Sequence, residues 1–193
     1  MQSAGLRRIA LAGSMLVLSA APPSGQSADY YPLAVNSRWT YTVSTTGGFL
    51  GDQDGTSTTL VQATELVKGQ RYFRVNTSFK NLPFPTESNL FRKTATALYR
   101  RLDDEDEVAM PLPLKVGLEW STRGAGDVVL HHRVESLESV KLGTQTFENC
   151  FKIQHSSVQA KSFDYYAPNV GLIKTVGQAA GSRLEFTLAT FRR

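Results

Sequence analysis

At 193 residues the chain is long enough for one domain with a substantial hydrophobic core. Its single cysteine, Cys150, excludes an intramolecular disulfide, so the fold must depend on that core. The formal net charge of +4 falls to +2 when the two arginines of the leader described next are removed, which argues against nucleic acid as a partner.

Residues 1–28 have the pattern of a secretory signal peptide. Arg7 and Arg8 precede an apolar run over 9–18, and small residues follow up to Ala28. The run is shorter than the roughly 20 residues of a membrane-spanning helix. We therefore predict a periplasmic or secreted protein that begins near Asp29 and has no transmembrane anchor after cleavage. A Sec-type signal is favoured over a twin-arginine signal. Because no cysteine ends the run, we predict that the protein is not a lipoprotein.

Alternation of apolar and polar residues with a period of two dominates the mature chain, and no stretch has the apolar stripe of a helix. Trp39, Tyr41 and Val43 alternate with polar neighbours, and the pattern recurs over 71–79, 128–135 and 183–188. Glycine-rich turns separate these segments. We predict one mostly β domain over 29–193. It forms a strongly curved antiparallel sheet, a half-barrel or barrel, of about 9–11 strands with little or no helix.

The pattern P-L-x-V-x-x-x-W occurs twice, from Pro32 to Trp39 and from Pro113 to Trp120. One interpretation is a duplicated half-sheet. The other is that both copies are the same local solution for leading a chain into a strand and burying a tryptophan. The absence of a further sequence match between the copies favours the second interpretation.

Three blocks of this chain resemble a group of uncharacterised exported bacterial proteins rich in β-structure. Residues 29–41 match a Y-x-P-L-x-V-G-x-x-W-x-Y opening, 143–153 match G-x-F-x-N-C-x-K-V, and 165–174 match Y-Y-A-P-G-V-G-L-V-K. Asn36 and Asn169 replace glycines of these patterns, and asparagine also accepts a left-handed backbone. The group is remotely similar in fold to periplasmic lipoprotein-carrier half-barrels, so the resemblance implies ligand binding on the concave face of the sheet.

The reactive side chains do not form a recognisable catalytic or metal motif. On a strand, Cys150 and His155 project from opposite faces because their spacing is odd, which favours a buried, unreactive cysteine. His131 and His132 also point to opposite faces, whereas His132 and His155 could meet inside, where two ligands are too few for zinc. We predict no enzyme activity, no metal and no cofactor. A hydrolase that joins Cys150 or a histidine with a carboxylate is the alternative.

The aromatic residues on the predicted strands suggest a ligand site on the concave face. The expected ligand is a lipid or another amphipathic small molecule, or a component of the cell envelope. The candidate ligand-binding residues are Trp39, Phe73, Tyr99, Trp120, Phe163 and Tyr165. For each of them, a role in filling the core is the competing interpretation.

A second hypothesis rests on the charge pattern of 66–107. If the strands around 71–79, 88–94 and 97–102 are neighbours, they form a cationic face that could dock anionic envelope polymers or a protein. Five acids in a row follow at 103–107 and could instead fold back and neutralise it. The candidate anionic-partner contacts are Arg71, Arg74, Arg92, Lys93, Arg100 and Arg101.

Overall fold

The computed structural model describes residues 28–124 and 128–193, so the predicted signal peptide lies outside the described residues except for Ala28. Within these ranges twelve strands are present and no helix is found. The strands are β1 Arg38–Thr46, β2 Gln53–Val67, β3 Gln70–Lys80, β4 Glu87–Lys93, β5 Ala97–Leu102, β6 Glu105–Pro111, β7 Glu119–Arg123, β8 Val129–Leu142, β9 Gln145–Ser156, β10 Ala160–Ala167, β11 Gly171–Ala179 and β12 Ser182–Arg192. None of the described residues belongs to a helix of the length and apolarity that a membrane span requires.

The strands form one antiparallel sheet that is nearly closed into a barrel. Sequence neighbours pair throughout except at β6 and β7, and β1 also pairs with β12, so the order is β6-β5-β4-β3-β2-β1-β12-β11-β10-β9-β8-β7. The two edge strands meet through side chains rather than a ladder. Trp120 Nε1 donates to the carbonyl oxygen of Ala109 at 3.0 Å, and the Glu107 carboxylate accepts from the backbone N–H of Arg123. The predicted curved antiparallel sheet is confirmed.

The sheet has more strands than the 9–11 expected, partly because the acidic run is not a loop. Asp103 and Asp104 make a two-residue turn with positive φ values of 47° and 68°, and β6 starts directly afterwards at Glu105. Asparagine and aspartate tolerate this backbone better than most residues. The last three acids therefore enter a strand, where Arg101 lies opposite Asp106 and Arg100 lies opposite Glu107.

The barrel interior is one continuous hydrophobic core. One cluster of buried residues includes Trp39, Tyr41 and Val61, and a second includes Val134 and Ile153; Leu33, Phe91 and Leu172 pack against both. The alternating burial along β1 shows why this sequence forms a strand here, because every second side chain enters the core. A separate cluster of Val140, Cys150, Ala167 and Ile173 lies on the opposite face of the sheet.

The two halves of the barrel, β1–β6 and β7–β12, are built alike. In the first half, Asn36 N donates to Val61 O, Val61 N to Ser37 O and Ser37 N to Ala34 O. In the second half, Gly117 N donates to Val134 O, Val134 N to Leu118 O and Leu118 N to Lys115 O. Val61 and Val134 are both 0% exposed, and each lies at a register shift. Trp39 and Trp120 open β1 and β7 at matching places. The likeness of the two P-L-x-V-x-x-x-W copies thus extends beyond the lead-in segment into the next strand.

Candidate functional site

The barrel encloses a cavity of about 310 Å³ between β1–β5 and the start of β11. This volume lies at the lower end of the ~300–1,000 Å³ typical of small-molecule pockets. The residues around it are Tyr31, Pro32, Leu33, Trp39, Tyr41, Thr59, Val61, Val75, Thr77, Glu87, Asn89, Phe91, Arg100, Tyr166, Gly171 and Leu172. The cavity therefore combines an apolar, aromatic wall with a few polar side chains.

The apolar end of the cavity is closed by the segment that precedes β1. Tyr31 packs against Phe91 and Tyr166 with ring centroids 5.7 and 6.4 Å apart. Trp39 Nε1 donates to the carbonyl oxygen of Val170 at 2.6 Å. Gly171 has a φ of +90°, and a Cβ there would lie 3.2 Å from Pro32. These contacts fix the segment across the barrel.

The other end of the cavity has a polar rim formed by β4 and β5. Glu87, Asn89 and Phe91 share one face of β4, and Arg100 on β5 lies opposite Phe91. Glu87 is exposed, so the rim reaches solvent. Arg100 Nη2 donates to Glu107 at 3.0 Å and to the carbonyl oxygen of Arg123 at 2.9 Å, whereas its Nε is buried without a partner. The rim thus retains hydrogen-bonding capacity that the protein does not use.

A second polar cluster lies in the other half of the barrel. Nε2 of His132 is hydrogen-bonded to Thr122 Oγ1 at 2.8 Å, and Nδ1 of His132 lies 2.6 Å from Nδ1 of His155. His155 Nε2 lies 3.2 Å from Asp164 Oδ2, outside the geometry of a hydrogen bond. Asp164 also accepts from the Thr175 hydroxyl at 2.7 Å. The prediction that His132 and His155 meet inside is confirmed.

Burial sets the protonation of this region. The pKa of His132 is lowered to about 4, mainly by desolvation and to a lesser extent by the neighbouring His155. His132 is therefore neutral at pH 7. The pKa values of Tyr31 and Tyr166 are raised above the ordinary value, mainly by desolvation and to a lesser extent by the Asp164 carboxylate. Both tyrosines are therefore protonated donors, and Tyr166 directs its hydroxyl to Asp164 at 3.4 Å. Among the described residues no group of three histidine, cysteine or acidic side chains could hold a metal ion.

The larger groove of about 820 Å³ at the opposite end of the barrel is a poorer candidate. It lies at the β9–β10 and β11–β12 turns, and only small and polar residues line it. Binding pockets for organic ligands need apolar walls. We therefore assign the candidate site to the smaller interior cavity.

The structure separates the six predicted aromatic residues. Trp39 lines the cavity, Phe73 packs on the core beside it, and Trp120 stacks on His132 with ring centroids 4.9 Å apart. The other three project from the opposite face. Tyr99 carries the Arg92 guanidinium 4.3 Å from its ring centroid, Phe163 lies under Lys152 and Lys161, and Tyr165 packs on the Cys150 cluster. One predicted aromatic residue therefore lines the cavity itself.

The predicted cationic residues do lie on neighbouring strands, but they point to both faces and most are paired. Arg100 faces the cavity, whereas Arg92 and Arg101 alternate with it and project oppositely. The ion pairs are Arg74–Glu65, Arg92–Asp106, Lys93–Asp29, Arg100–Glu107 and Arg101–Asp104. Arg71 forms no ion pair within 28–124 and 128–193. Asp104, Asp106 and Glu107 thus pair with cations of this region, and docking of an anionic partner stays a prediction.

Sequence reasoning missed most of the cavity wall. Tyr41 could have been predicted, because it lies two residues after Trp39 and shares its face of β1. Phe91 lies directly opposite Phe73. Tyr31 and Leu33 belong to no strand, so no periodicity could have placed them. Tyr166 directly follows Tyr165 on β10, so alternation places the two side chains on opposite faces, and the prediction selected Tyr165, which projects outwards.

Cys150 is 0% exposed, and desolvation raises the pKa of its thiol to about 11. Because the thiolate is the reactive form, we expect the native protein to react with a disulfide reagent on the order of 100-fold more slowly than the unfolded chain at pH 8. Absorbance of the released thiol, with and without denaturant, measures this. Equal rates in the two conditions would contradict the placement of Cys150 in the core.

Comparison with known proteins shows a related fold. An exported protein with a YmcC-like fold from Bacteroides fragilis superposes with a TM-score of 0.57 and 11% identity, covering 86% of this chain and 100% of that chain. A lipoprotein from Parabacteroides distasonis superposes with a TM-score of 0.51 and 13% identity, covering 87% and 100%. At this level of identity the likeness concerns the fold, which is similar to the YmcC-like barrel.

The remaining comparisons give no information about function. LprF from Mycobacterium bovis superposes with a TM-score of only 0.32 at 11% identity, over 81% of this chain and 85% of that chain. No family model and no curated protein matches the sequence.

Proposed function

We propose that this protein is an exported, non-enzymatic carrier or sensor that binds a single-chain amphiphile inside its barrel. The cavity of about 310 Å³, apolar at the end closed by Tyr31 and polar at the Arg100 rim, is the observation on which the proposal rests. An amphiphile fits with its chain against the aromatic wall and its head group at the rim. Export is supported by the leader pattern of residues 1–28 and by the description of one fold neighbour as exported.

The size of the cavity limits the ligand to one chain. A pocket at the lower end of the usual volume range leaves no room for the two or three chains of a complex lipid. The segment around Tyr31 and Leu33 further narrows the interior, since Leu33 packs against both core clusters and Tyr31 against one of them. A lipoprotein carrier of the kind implied by the sequence resemblance would need a wider concave face.

Native mass spectrometry of the protein from its own envelope fraction, before and after organic extraction, tests the proposal. We expect one extractable ligand per chain. Thr77→Phe should fill the cavity and abolish the bound mass, because Thr77 lines it. Thr56→Phe, at an exposed position of β2, should keep it. Thermal unfolding of both variants verifies that they fold. A protein at its bare mass that also binds no added amphiphile would refute the proposal, and salt-sensitive binding to anionic polymers would favour the cationic docking hypothesis.

A further inference from the structure

The two halves of the barrel place polar side chains at equivalent positions, and this equivalence indicates what the head group is. Trp39 pairs with Thr59 in the first half, as Trp120 pairs with His132 in the second. The next strand places Thr77 beside Thr59 and His155 beside His132. One strand further, Asn89 lies opposite Val75, as Asp164 lies opposite Ile153. Asn89 is therefore the counterpart of Asp164.

In the second half these polar groups bond one another, except that the buried His155 Nε2 has no hydrogen-bond partner among the described residues. Both ring nitrogens of His132 have partners, Thr122 and His155. The carboxylate of Asp164 accepts from Thr175 and Tyr166 and also contacts His155. Buried polar groups that are satisfied in this way need no ligand.

In the first half Thr59 and Thr77 bond each other, but the polar side chains of the rim do not all have partners. Across the part of the chain that the structure describes, the Asn89 amide has no hydrogen-bond partner and Glu87 has no ion pair. Arg100 Nε is buried without a partner. All three side chains line the same cavity. The cost of an unpaired group falls on the buried Arg100 Nε, because Glu87 is exposed and Asn89 is half-buried. A ligand at the rim that accepts from Arg100 Nε removes this cost and also meets the Asn89 amide and the Glu87 carboxylate.

The charges at the rim select against an ionic head group. Arg100 is already neutralised by Glu107 at 3.0 Å, and the Glu87 carboxylate adds a negative charge beside it. An anionic head group would face Glu87, and a cationic one would face Arg100. A hydroxyl both donates and accepts, so it can accept from Arg100 Nε–H and the Asn89 amide while donating to Glu87.

We infer that the cavity selects an amphiphile whose head group is uncharged and rich in hydroxyls, such as a monoacylglycerol or an alkyl glycoside. This inference rests on the proposed function, since it names the ligand class of the same cavity. It differs from amphiphile binding in general because it predicts discrimination among ligands that share one chain. The discrimination comes from Glu87, Asn89 and Arg100, because the apolar wall contributes the same binding energy to every ligand with that chain.

Titration calorimetry with three octyl amphiphiles below their micelle concentrations tests the inference: octyl glucoside, octyl sulfate and octyltrimethylammonium. We expect the glucoside to bind at least about tenfold more tightly than either ion, the effect of about one unpaired polar group. Tighter or equal binding of an ion would overturn the inference and leave the proposed function intact. Failure of all three to bind would overturn the proposed function itself.

A substitution at the rim separates recognition of the head group from binding of the chain. Asn89→Leu should weaken glucoside binding about tenfold while leaving the affinity for octane unchanged. Asn76→Leu is the matched control, because Asn76 lies on the opposite face of β3 and bonds Gln62. Equal glucoside affinity in wild type and Asn89→Leu would contradict the role of Asn89. If Asn89→Leu does not fold, the comparison of the three probes on the wild type still decides.

Discussion

Replacement of Trp39 by alanine is expected to lower the free energy of unfolding by about 3–5 kcal/mol. The indole is 7% exposed, stacks on Phe191 with ring centroids 5.1 Å apart, and donates to the carbonyl oxygen of Val170. Its loss leaves a void beside the cavity and removes the bond that ties the β10–β11 turn to β1. Chemical denaturation measures the change.

Two further variants show whether this effect comes from the buried indole. Trp39→Phe should be intermediate, because it keeps the stacking on Phe191 but loses the hydrogen bond to Val170. Phe49→Ala removes an aromatic ring that is 78% exposed and should change the stability by less than about 0.5 kcal/mol. A loss at Trp39 no larger than that at Phe49 would contradict the placement of Trp39 in the core.

Acidification from pH 7 to pH 4 is expected to destabilise the protein through His132 by up to about 3 kcal/mol. Its pKa is about 4 in the folded state and about 6.5 in the unfolded chain. Between pH 4 and about pH 6.5 the unfolded state binds a proton at this histidine and the folded state does not. Stability is therefore full above pH 6.5 and falls as the pH drops towards 4, and each unit of difference contributes about 1.4 kcal/mol.

The matched pair of adjacent histidines isolates this effect. Denaturation curves at several pH values should show that His132→Asn loses most of the fall between pH 7 and pH 4. His131→Asn should retain it, because His131 is exposed on the opposite face of β8. Carboxylates with lowered pKa values, such as Asp106 and Glu185, also lose stability in acid, so the difference between variants is the informative quantity. Parallel pH profiles for wild type and His132→Asn would contradict the prediction.

The turn between β10 and β11 could be predicted from the residues within it. Pro168 and Asn169 are turn residues, and they predict a turn between a strand that ends at Ala167 and another that starts at Val170. The structure ends β10 at Ala167 and starts β11 at Gly171, and Asn169 has the left-handed φ of 61°. Such a turn depends on a few neighbouring residues and is therefore readable from sequence.

The candidate site was less predictable because it depends on which strands become neighbours. Alternation indicated that Trp39 and Phe73 face inwards, and it also indicated that His132 and His155 could meet. It could not show which of the adjacent Tyr165 and Tyr166 faces inwards, because both faces of β10 carry apolar side chains that pack on a cluster. It also could not show that Arg100, one of six apparently similar cations, faces the cavity.

The sequence by itself determined that this protein is an antiparallel β domain, because period-two alternation and turn residues act over a few positions. It also determined that Cys150 and His155 lie on opposite faces, by the same parity. Only the tertiary structure decided that β1 pairs with β12 and that β6 approaches β7, which makes the sheet a nearly closed barrel. It likewise decided that Arg92 pairs with Asp106 and that Glu87, Asn89 and Arg100 line one cavity. These features join residues far apart in the chain, and their pairing depends on strand register and curvature that no local pattern encodes.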